Sequence, residues 1–171
     1  MILVRHAESE WNRHFSRTRI DPGIPDPPLT RRGRRQAAQL AEELVESEVR
    51  RLVASPYRRT LETATIIAAT LAVPIAVEPL VRERCVFSCD EGTPPEQLAA
   101  LWPDLDFAHL DERWWGVAAE TEVSLGRRCA AFLAKTDALP DRSHVAVITH
   151  WGVIRALTGQ ELTNGACIRL I

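Results

Sequence analysis

The sequence predicts an α/β fold with a largely parallel central sheet and helices on both of its faces. Two observations predict it: short apolar runs typical of strands buried on both faces, and amphipathic helical patterns between those runs. The chain has 171 residues, 46% of them hydrophobic, which is the size of one compact domain, so we expect a single domain over residues 1–171. The apolar runs are Ile2–Val4, Leu52–Ala54, Ile75–Val77 and Val145–Thr149.

The helical segments follow the strands in order. The first has Thr30 as a candidate N-cap and apolar residues at i, i+3, i+4 and i+7. The second opens at Ser55, with Pro56 at its first helical position. The predicted helices run from Thr30 to about Ser47, from Ser55 to about Leu71, from about Glu122 to Thr136, and onward from near Trp151.

Composition excludes several function classes. The 21 basic and 23 acidic residues give a net charge of −2, which offers no general attraction to nucleic acid or to an anionic membrane. The apolar stretches are shorter than the ~20 residues that span a bilayer, and the chain enters a strand at once, so we expect a cytoplasmic protein.

The four cysteines are scattered and include no CxxC pair, so we expect reduced thiols rather than a disulfide framework. Cys85 and Cys89 lack a histidine pair at a finger-like spacing, and a zinc site there is not expected. Cys129 and Cys167 are expected in the core.

Polar residues follow three of the predicted strands. Arg5 and His6 follow the first strand, Arg58 lies in the first turn after the second, and His150 follows the fourth. Because ligands in such sheets bind beyond the carboxyl ends of the strands, we expect these side chains at one rim. Arg58 alone is also compatible with an ion pair to Glu62 on a solvated helix face.

Two arginines and two histidines at one rim describe a pocket for a phosphoryl group. A helix N-terminus favours anions, and guanidinium groups bind phosphate oxygens bidentately and neutralise their charge without a metal ion. A neutral imidazole can then attack phosphorus and form a covalent intermediate.

An ordered set of sequence blocks carries a family resemblance over Ile2 to about Thr158. The chain resembles the histidine phosphatase superfamily, also called phosphoglycerate mutase-like. The blocks are Arg5-His6-Ala7-Glu8, Ser9 to Asn12, Leu29-Thr30 with Gly33 and Gln36, Ser55-Pro56 with Arg58 and Thr63-Ala64, and Thr149-His150.

The resemblance implies a three-layer αβα sandwich in which His6 is phosphorylated and then hydrolysed, without a metal or a cofactor. It implies that Arg5, Arg58 and His150 hold the phosphoryl oxygens, with Asn12 as a further phosphate-binding position.

The family's acid and base is a carboxylate after the third strand. Glu83 matches that position best, and Glu78, Asp90 and Glu91 remain open as alternatives.

A metal-independent phosphatase acting on a small phosphomonoester is the leading functional hypothesis. A phosphoglycerate mutase-type phosphotransferase and a non-catalytic module that binds phosphorylated ligands remain alternatives.

Two residues depart from the family pattern: Ala7 replaces a glycine beside the nucleophile, and Trp151 follows the second histidine. Ala7 is strained only if its φ is positive.

Overall fold

The computed structural model describes residues 1–116 and 119–170. Val117, Ala118 and Ile171, which the predicted domain includes, lie outside the described residues. The strands are β1 (Ile2–Arg5), β2 (Arg51–Ala54), β3 (Ile75–Val77), β4 (Val145–Thr149) and β5 (Cys167–Arg169). The α-helices are α1 (Glu10–Thr18), α2 (Arg31–Leu44), α3 (Arg58–Leu71), α4 (Pro95–Leu101), α5 (Glu122–Asp137) and α6 (Trp151–Thr158).

The strands form one sheet in the order β3-β2-β4-β1-β5. The first four are parallel, and β5 pairs antiparallel with β1. In β1, Ile2 and Val4 pack with residues of α2 and α3, whereas Leu3 packs with residues of α5 and α6 on the other face. The prediction of an α/β fold with a mostly parallel sheet between helices is confirmed.

The register of the central strands places the site. Arg5 of β1 pairs with Thr149 of β4, and the N–H of His6 continues the ladder by donating to Thr149 O (2.9 Å). The N–H of Ser55, just after β2, donates to Ile148 O (3.1 Å). The residues that follow three parallel strands therefore come together at one edge of the sheet.

Most predicted elements are present, with local differences. Thr30 caps α2, because its Oγ1 accepts from the N–H of Gly33 at 2.9 Å, and the helix tightens into a 3₁₀ turn after Leu44. The predicted start of the second helix at Ser55 is wrong. Ser55 still bonds to the neighbouring strand, Tyr57 is extended (φ −68°, ψ 144°), and α3 begins only at Arg58.

Among the α-helices and strands of the described residues, α1, α4 and β5 were not predicted. α1 buries only Trp11, α4 has seven residues, and β5 is a three-residue edge strand with largely exposed side chains. Each therefore lacks the long apolar pattern that reveals a buried element. The expectation for Cys129 is confirmed, since it is buried, but Cys167 lies exposed on β5 and its core assignment is wrong.

The described helices all lack the length and apolar character that a membrane-spanning helix requires.

Candidate active site

A cavity of about 580 Å³ opens beyond the carboxyl ends of the parallel strands. Four of the predicted site residues line it: Arg5, His6, Asn12 and Glu83. His150 lies against His6, with 5.2 Å between the two ring centroids, but does not itself line the cavity. The structure therefore brings five of the six predicted residues together, and Arg58 is the exception.

The His6 ring is held in one tautomer. Its Nδ1 lies 2.8 Å from Ala7 O, and because a carbonyl oxygen only accepts, Nδ1 carries the proton. Nε2 is then the nitrogen with a free lone pair. Burial, followed by the charges of Arg59 and Arg5, lowers the pKa of His6 well below 6.5. The imidazole is therefore neutral at physiological pH, the state that a nucleophile requires.

His150 is fully buried behind His6. Its Nε2 lies 2.8 Å from Ser55 Oγ, and its buried Nδ1 has no hydrogen-bond partner among the described residues. Burial, and then the charge of Arg59, lowers its pKa well below 6.5. This ring is therefore also neutral, and it lies against His6 with its Nδ1 unpartnered.

The structure separates Arg58 from the cavity. Its backbone N–H donates to Oδ1 of Asp26 (2.9 Å), in the Pro-rich segment before α2, and its side chain is absent from the cavity lining. The alternative pairing with Glu62 is not formed, since that carboxylate pairs with Arg34 at 2.5 Å.

Arg59, the next residue, lines the cavity instead. Its Nη1 donates to Cys89 O (2.7 Å), and its Nη2 lies 3.2 Å from Asp90 Oδ1 in an ion pair whose side chains are only 3% and 2% exposed. Arg59 is the largest charge acting on the pKa of both His6 and His150. Its guanidinium therefore supplies the positive charge that sequence reasoning assigned to Arg58.

Helix phase explains the difference between the two arginines. Successive helical residues point about 100° apart, so a shift of one residue decides which arginine faces the sheet. Arg59, Thr63 and Ile67 recur every four residues and are all buried, so the inward face of α3 passes through Arg59. This four-residue spacing is the feature of the sequence that could have indicated Arg59 rather than Arg58.

Glu83 reaches the same cavity from the segment after β3. Both of its carboxylate oxygens accept from the N–H of Gly152 at 3.1 Å, and Oε1 also accepts from the N–H of Arg84 at 2.8 Å. Burial, and then the charge of Asp90, raises the pKa of Glu83 above its ordinary value, despite these hydrogen bonds. A carboxyl with a raised pKa in a cavity that also contains arginines is suited to donate a proton.

The alternative carboxylates have other roles. Glu78 accepts from the N–H of Leu80 and pairs with Lys135 at 2.5 Å, and neither Glu78 nor Glu91 lines the cavity. Asp90 does line it, but Oδ1 pairs with Arg59 and Oδ2 accepts from backbone N–H groups.

Arg5 and Asn12 complete the polar end of the cavity. Nη1 of Arg5 donates to Leu162 O (2.6 Å), and its buried Nε has no partner among the described residues. Oδ1 of Asn12 accepts from the N–H of Ser9 (3.1 Å) and caps α1. Asn164, which sequence reasoning missed, donates to both His6 O (3.1 Å) and Asn12 Oδ1 (3.2 Å) and joins the two segments.

Residues 1–166 match the family model of the histidine phosphatase superfamily, branch 1. The chain belongs to the histidine phosphatase superfamily. It is an enzyme of that superfamily by its match over nearly its whole length, and the resemblance seen in its sequence blocks is confirmed.

Curated relatives within the superfamily have different names. The chain is 31% identical over 156 residues to Probable phosphoglycerate mutase GpmB of Proteus mirabilis, covering 88% of this chain and 68% of that protein. It is 30% identical to Uncharacterized phosphatase PhoE of Bacillus subtilis, over 96% of this chain and 78% of the relative. It is 31% identical to Phosphoserine phosphatase 1 of Hydrogenobacter thermophilus, over 92% and 73%.

Solved structures share the histidine phosphatase fold. One described as mycobacterial hydrolase 1 superimposes with a TM-score of 0.70 at 23% identity, covering 98% of this chain and 86% of that one. A mycobacterial glucosyl-3-phosphoglycerate phosphatase in complex with VO3 gives 0.65 at 21% identity, covering 98% and 88%.

The structure shows how Ala7 and Trp151, the two departures from the superfamily pattern, are accommodated. Ala7 is not among the residues with positive φ, so its backbone is unstrained, and its buried methyl group packs against Leu29 and Ala37. Trp151 lines the cavity and carries the guanidinium of Arg155 over its ring at 5.2 Å.

Within residues 1–116 and 119–170, no group of three or more His, Cys, Asp or Glu side chains is arranged to hold a metal ion.

Proposed function

We propose that this histidine phosphatase superfamily member hydrolyses a small phosphomonoester, without a metal ion, through a phosphohistidine at His6. One observation carries the proposal: Nδ1 of His6 donates to Ala7 O at 2.8 Å, which leaves Nε2 unprotonated in a cavity whose lining includes Arg5 and Arg59. A fixed, neutral imidazole beside cations is arranged to attack an anionic phosphorus centre.

The phosphoryl oxygens bind to Arg5 and Arg59, with Asn12 and Nδ1 of His150 as further donors. Arg59 replaces Arg58 in this role, because only Arg59 lines the cavity. The buried Nδ1 of His150, which has no partner among the described residues and belongs to a ring lying against His6, supports its part in this assignment. The guanidinium charges offset the negative charge on the transferring group.

Glu83 is proposed as general acid and then general base. In the first step Nε2 of His6 bonds to phosphorus, the phosphorus–oxygen ester bond breaks, and the Glu83 carboxyl protonates the leaving oxygen. In the second step Glu83 takes a proton from water, the water oxygen bonds to phosphorus, and the phosphorus–nitrogen bond breaks. Inorganic phosphate leaves, and His6 returns to its neutral form.

A quench experiment with a labelled phosphomonoester tests this function. We expect an acid-labile, base-stable label on the wild-type protein and none on His6→Ala. His14→Ala is the matched control, because His14 is exposed on α1 and outside the cavity lining. Phosphate release by His6→Ala at the wild-type rate contradicts the proposal.

A phosphoglycerate mutase-type phosphotransferase is the second candidate. The similarity to Probable phosphoglycerate mutase GpmB favours it. This candidate predicts dependence on bisphosphoglycerate and interconversion of phosphoglycerates, whereas the phosphatase predicts release of inorganic phosphate without priming. The non-catalytic alternative has lost the feature that suggested it, since Ala7 is not strained.

A further inference from the structure

The cavity lining also includes a group of aromatic residues. Trp11, Phe15 and Phe87 line the cavity and form one cluster, here called the aromatic wall. Their ring centroids are 4.3 Å apart for Trp11 and Phe15, 5.1 Å for Trp11 and Phe87, and 5.3 Å for Phe15 and Phe87. Phe87 is 41% exposed and Val86 beside it 49% exposed, although both are large hydrophobic residues. Grouped apolar side chains exposed in a concave site are typical of ligand binding.

The Asp21 carboxylate holds the aromatic wall together. Trp11 Nε1–H donates to its Oδ1 at 2.9 Å, and the N–H of Ser88, next to Phe87, donates to its Oδ2 at 2.8 Å. Burial opposes ionisation of Asp21, but hydrogen bonds from Ser88, Gly23 and Trp11 lower its pKa to about 2. Asp21 is therefore ionised at neutral pH and joins α1 to the segment that carries Phe87.

Asp90 connects the aromatic wall to Arg59. Its Oδ2 accepts from the N–H groups of Val86 and Phe87, both at 3.0 Å, while its Oδ1 pairs with Arg59. The backbone that presents Phe87 and the guanidinium proposed to bind phosphate are therefore fixed by one buried carboxylate. The aromatic wall and Arg59 are therefore held in fixed positions relative to each other before a substrate binds.

The two arginines near the aromatic wall already interact with other groups or with solvent. Nε of Arg84 donates to Glu120 O (2.8 Å), and its Nη1 forms an ion pair with Glu122. The guanidinium of Arg19 lies 5.8 Å above the Phe15 ring, and the Glu161 carboxylate lines the same cavity. Because Arg84 is paired with Glu122 and Arg19 is exposed to solvent, which screens its charge, the aromatic wall offers a leaving group mainly apolar contact.

We propose that the site selects phosphomonoesters of uncharged, apolar alcohols, whose leaving group lies on the aromatic wall. This rests on the proposed phosphatase function and specifies its substrate class. The cavity volume of about 580 Å³ holds a phosphoryl group together with a sizeable apolar group. Burial of each additional methylene on the wall then strengthens binding.

A series of unbranched alkyl phosphates tests the substrate class. Ethyl, butyl and hexyl phosphate have leaving alcohols of nearly equal acidity, so chain length changes apolar contact without changing the chemical step. We expect kcat/KM for phosphate release to rise about two- to fourfold per added methylene. We also expect butyl phosphate to react better than 3-phosphoglycerate and phosphoserine, which are of similar size and carry a carboxylate.

Substitutions in the aromatic wall test whether it binds the leaving group. Phe87→Ala and Phe15→Ala are expected to reduce the dependence of log kcat/KM on chain length by about half or more. Leu101→Ala is the matched control, since Leu101 is 54% exposed at the end of α4 and outside the cavity lining, and it should keep the wild-type dependence. Thermal melting verifies that each variant is folded.

The outcomes separate this proposal from the proposed function. Phosphate release at equal kcat/KM from ethyl to hexyl phosphate overturns the apolar substrate class and leaves the phosphatase function standing. A preference for 3-phosphoglycerate or phosphoserine over butyl phosphate does the same. Unchanged chain-length dependence in both Phe variants overturns the assignment to the aromatic wall. No phosphate release from any ester overturns the phosphatase function and this inference with it.

Discussion

The backbone N–H of Gly152 lies 3.1 Å from each carboxylate oxygen of Glu83. Gly152 is the second residue of α6, where the helix dipole favours a negative group. A Cβ at this position would lie 2.5 Å from Oε1 of Glu83, so only glycine permits the contact. The helix that begins after His150 therefore fixes the proposed acid in place.

Gly152→Ala is expected to displace Glu83 and reduce proton transfer to the leaving group. We expect kcat to fall about 10- to 100-fold for alkyl phosphates, which need that proton, and much less for 4-nitrophenyl phosphate. Gly126→Ala in α5 is the control, because an added Cβ there meets nothing within 4 Å. Steady-state phosphate release with the two substrates measures the effect, and an equal loss on both argues against an acid role for Glu83.

The assignment of the phosphate-binding arginine is tested by a pair of neighbouring variants. Arg59→Lys keeps a charge for Asp90 but loses the planar donor pair, and we expect kcat/KM to fall about 100-fold. Arg58→Lys, on a side chain outside the cavity, should change it less than about threefold. The same phosphate-release assay and a melting curve compare the two. A larger loss in Arg58→Lys would return the role to the arginine predicted from the sequence.

The raised pKa of Glu83 predicts a substrate-dependent pH profile. As a general acid Glu83 acts in its protonated form, so kcat for an alkyl phosphate should fall as pH rises through this raised pKa, above the ordinary value of 4.5. With 4-nitrophenyl phosphate this alkaline decline should be much weaker. Glu83→Gln should remove it for the alkyl ester, and its persistence there would assign the acid to another group.

The two buried histidines predict a loss of stability in mild acid. Their pKa values lie well below 6.5 in the folded protein, so only the unfolded chain takes up protons at these sites just below that pH. These histidines therefore leave the free energy of unfolding nearly unchanged above pH 6.5. Below that pH they lower it, by about 1 kcal/mol per histidine for the first pH unit. Urea unfolding at several pH values measures the slope. His6→Gln should reduce it, and an unchanged slope would contradict a neutral, buried His6.

The apolar runs of β1, β2 and β4 and the capping residue Thr30 are local signals, and the sequence alone located those elements. The order of strands and polar residues also placed His6 and His150 at one rim, where their rings are 5.2 Å apart. These predictions succeed because buried parallel strands are apolar throughout and because their carboxyl ends share one edge.

The sequence by itself thus determined the layered fold and the superfamily and singled out His6 as the proposed nucleophile, since each depends on residue type and order along the chain. Only the tertiary structure decided that Arg59 faces the cavity, that Asn164 joins His6 to Asn12, and that an aromatic wall forms beside them. Those outcomes depend on the phase at which a helix meets the sheet and on hydrogen bonds between segments far apart in sequence. The spacing of Arg59, Thr63 and Ile67 identifies the inward face only once the start of α3 and its packing against the sheet are known, and hydrogen bonds between distant segments leave no periodic signal at all.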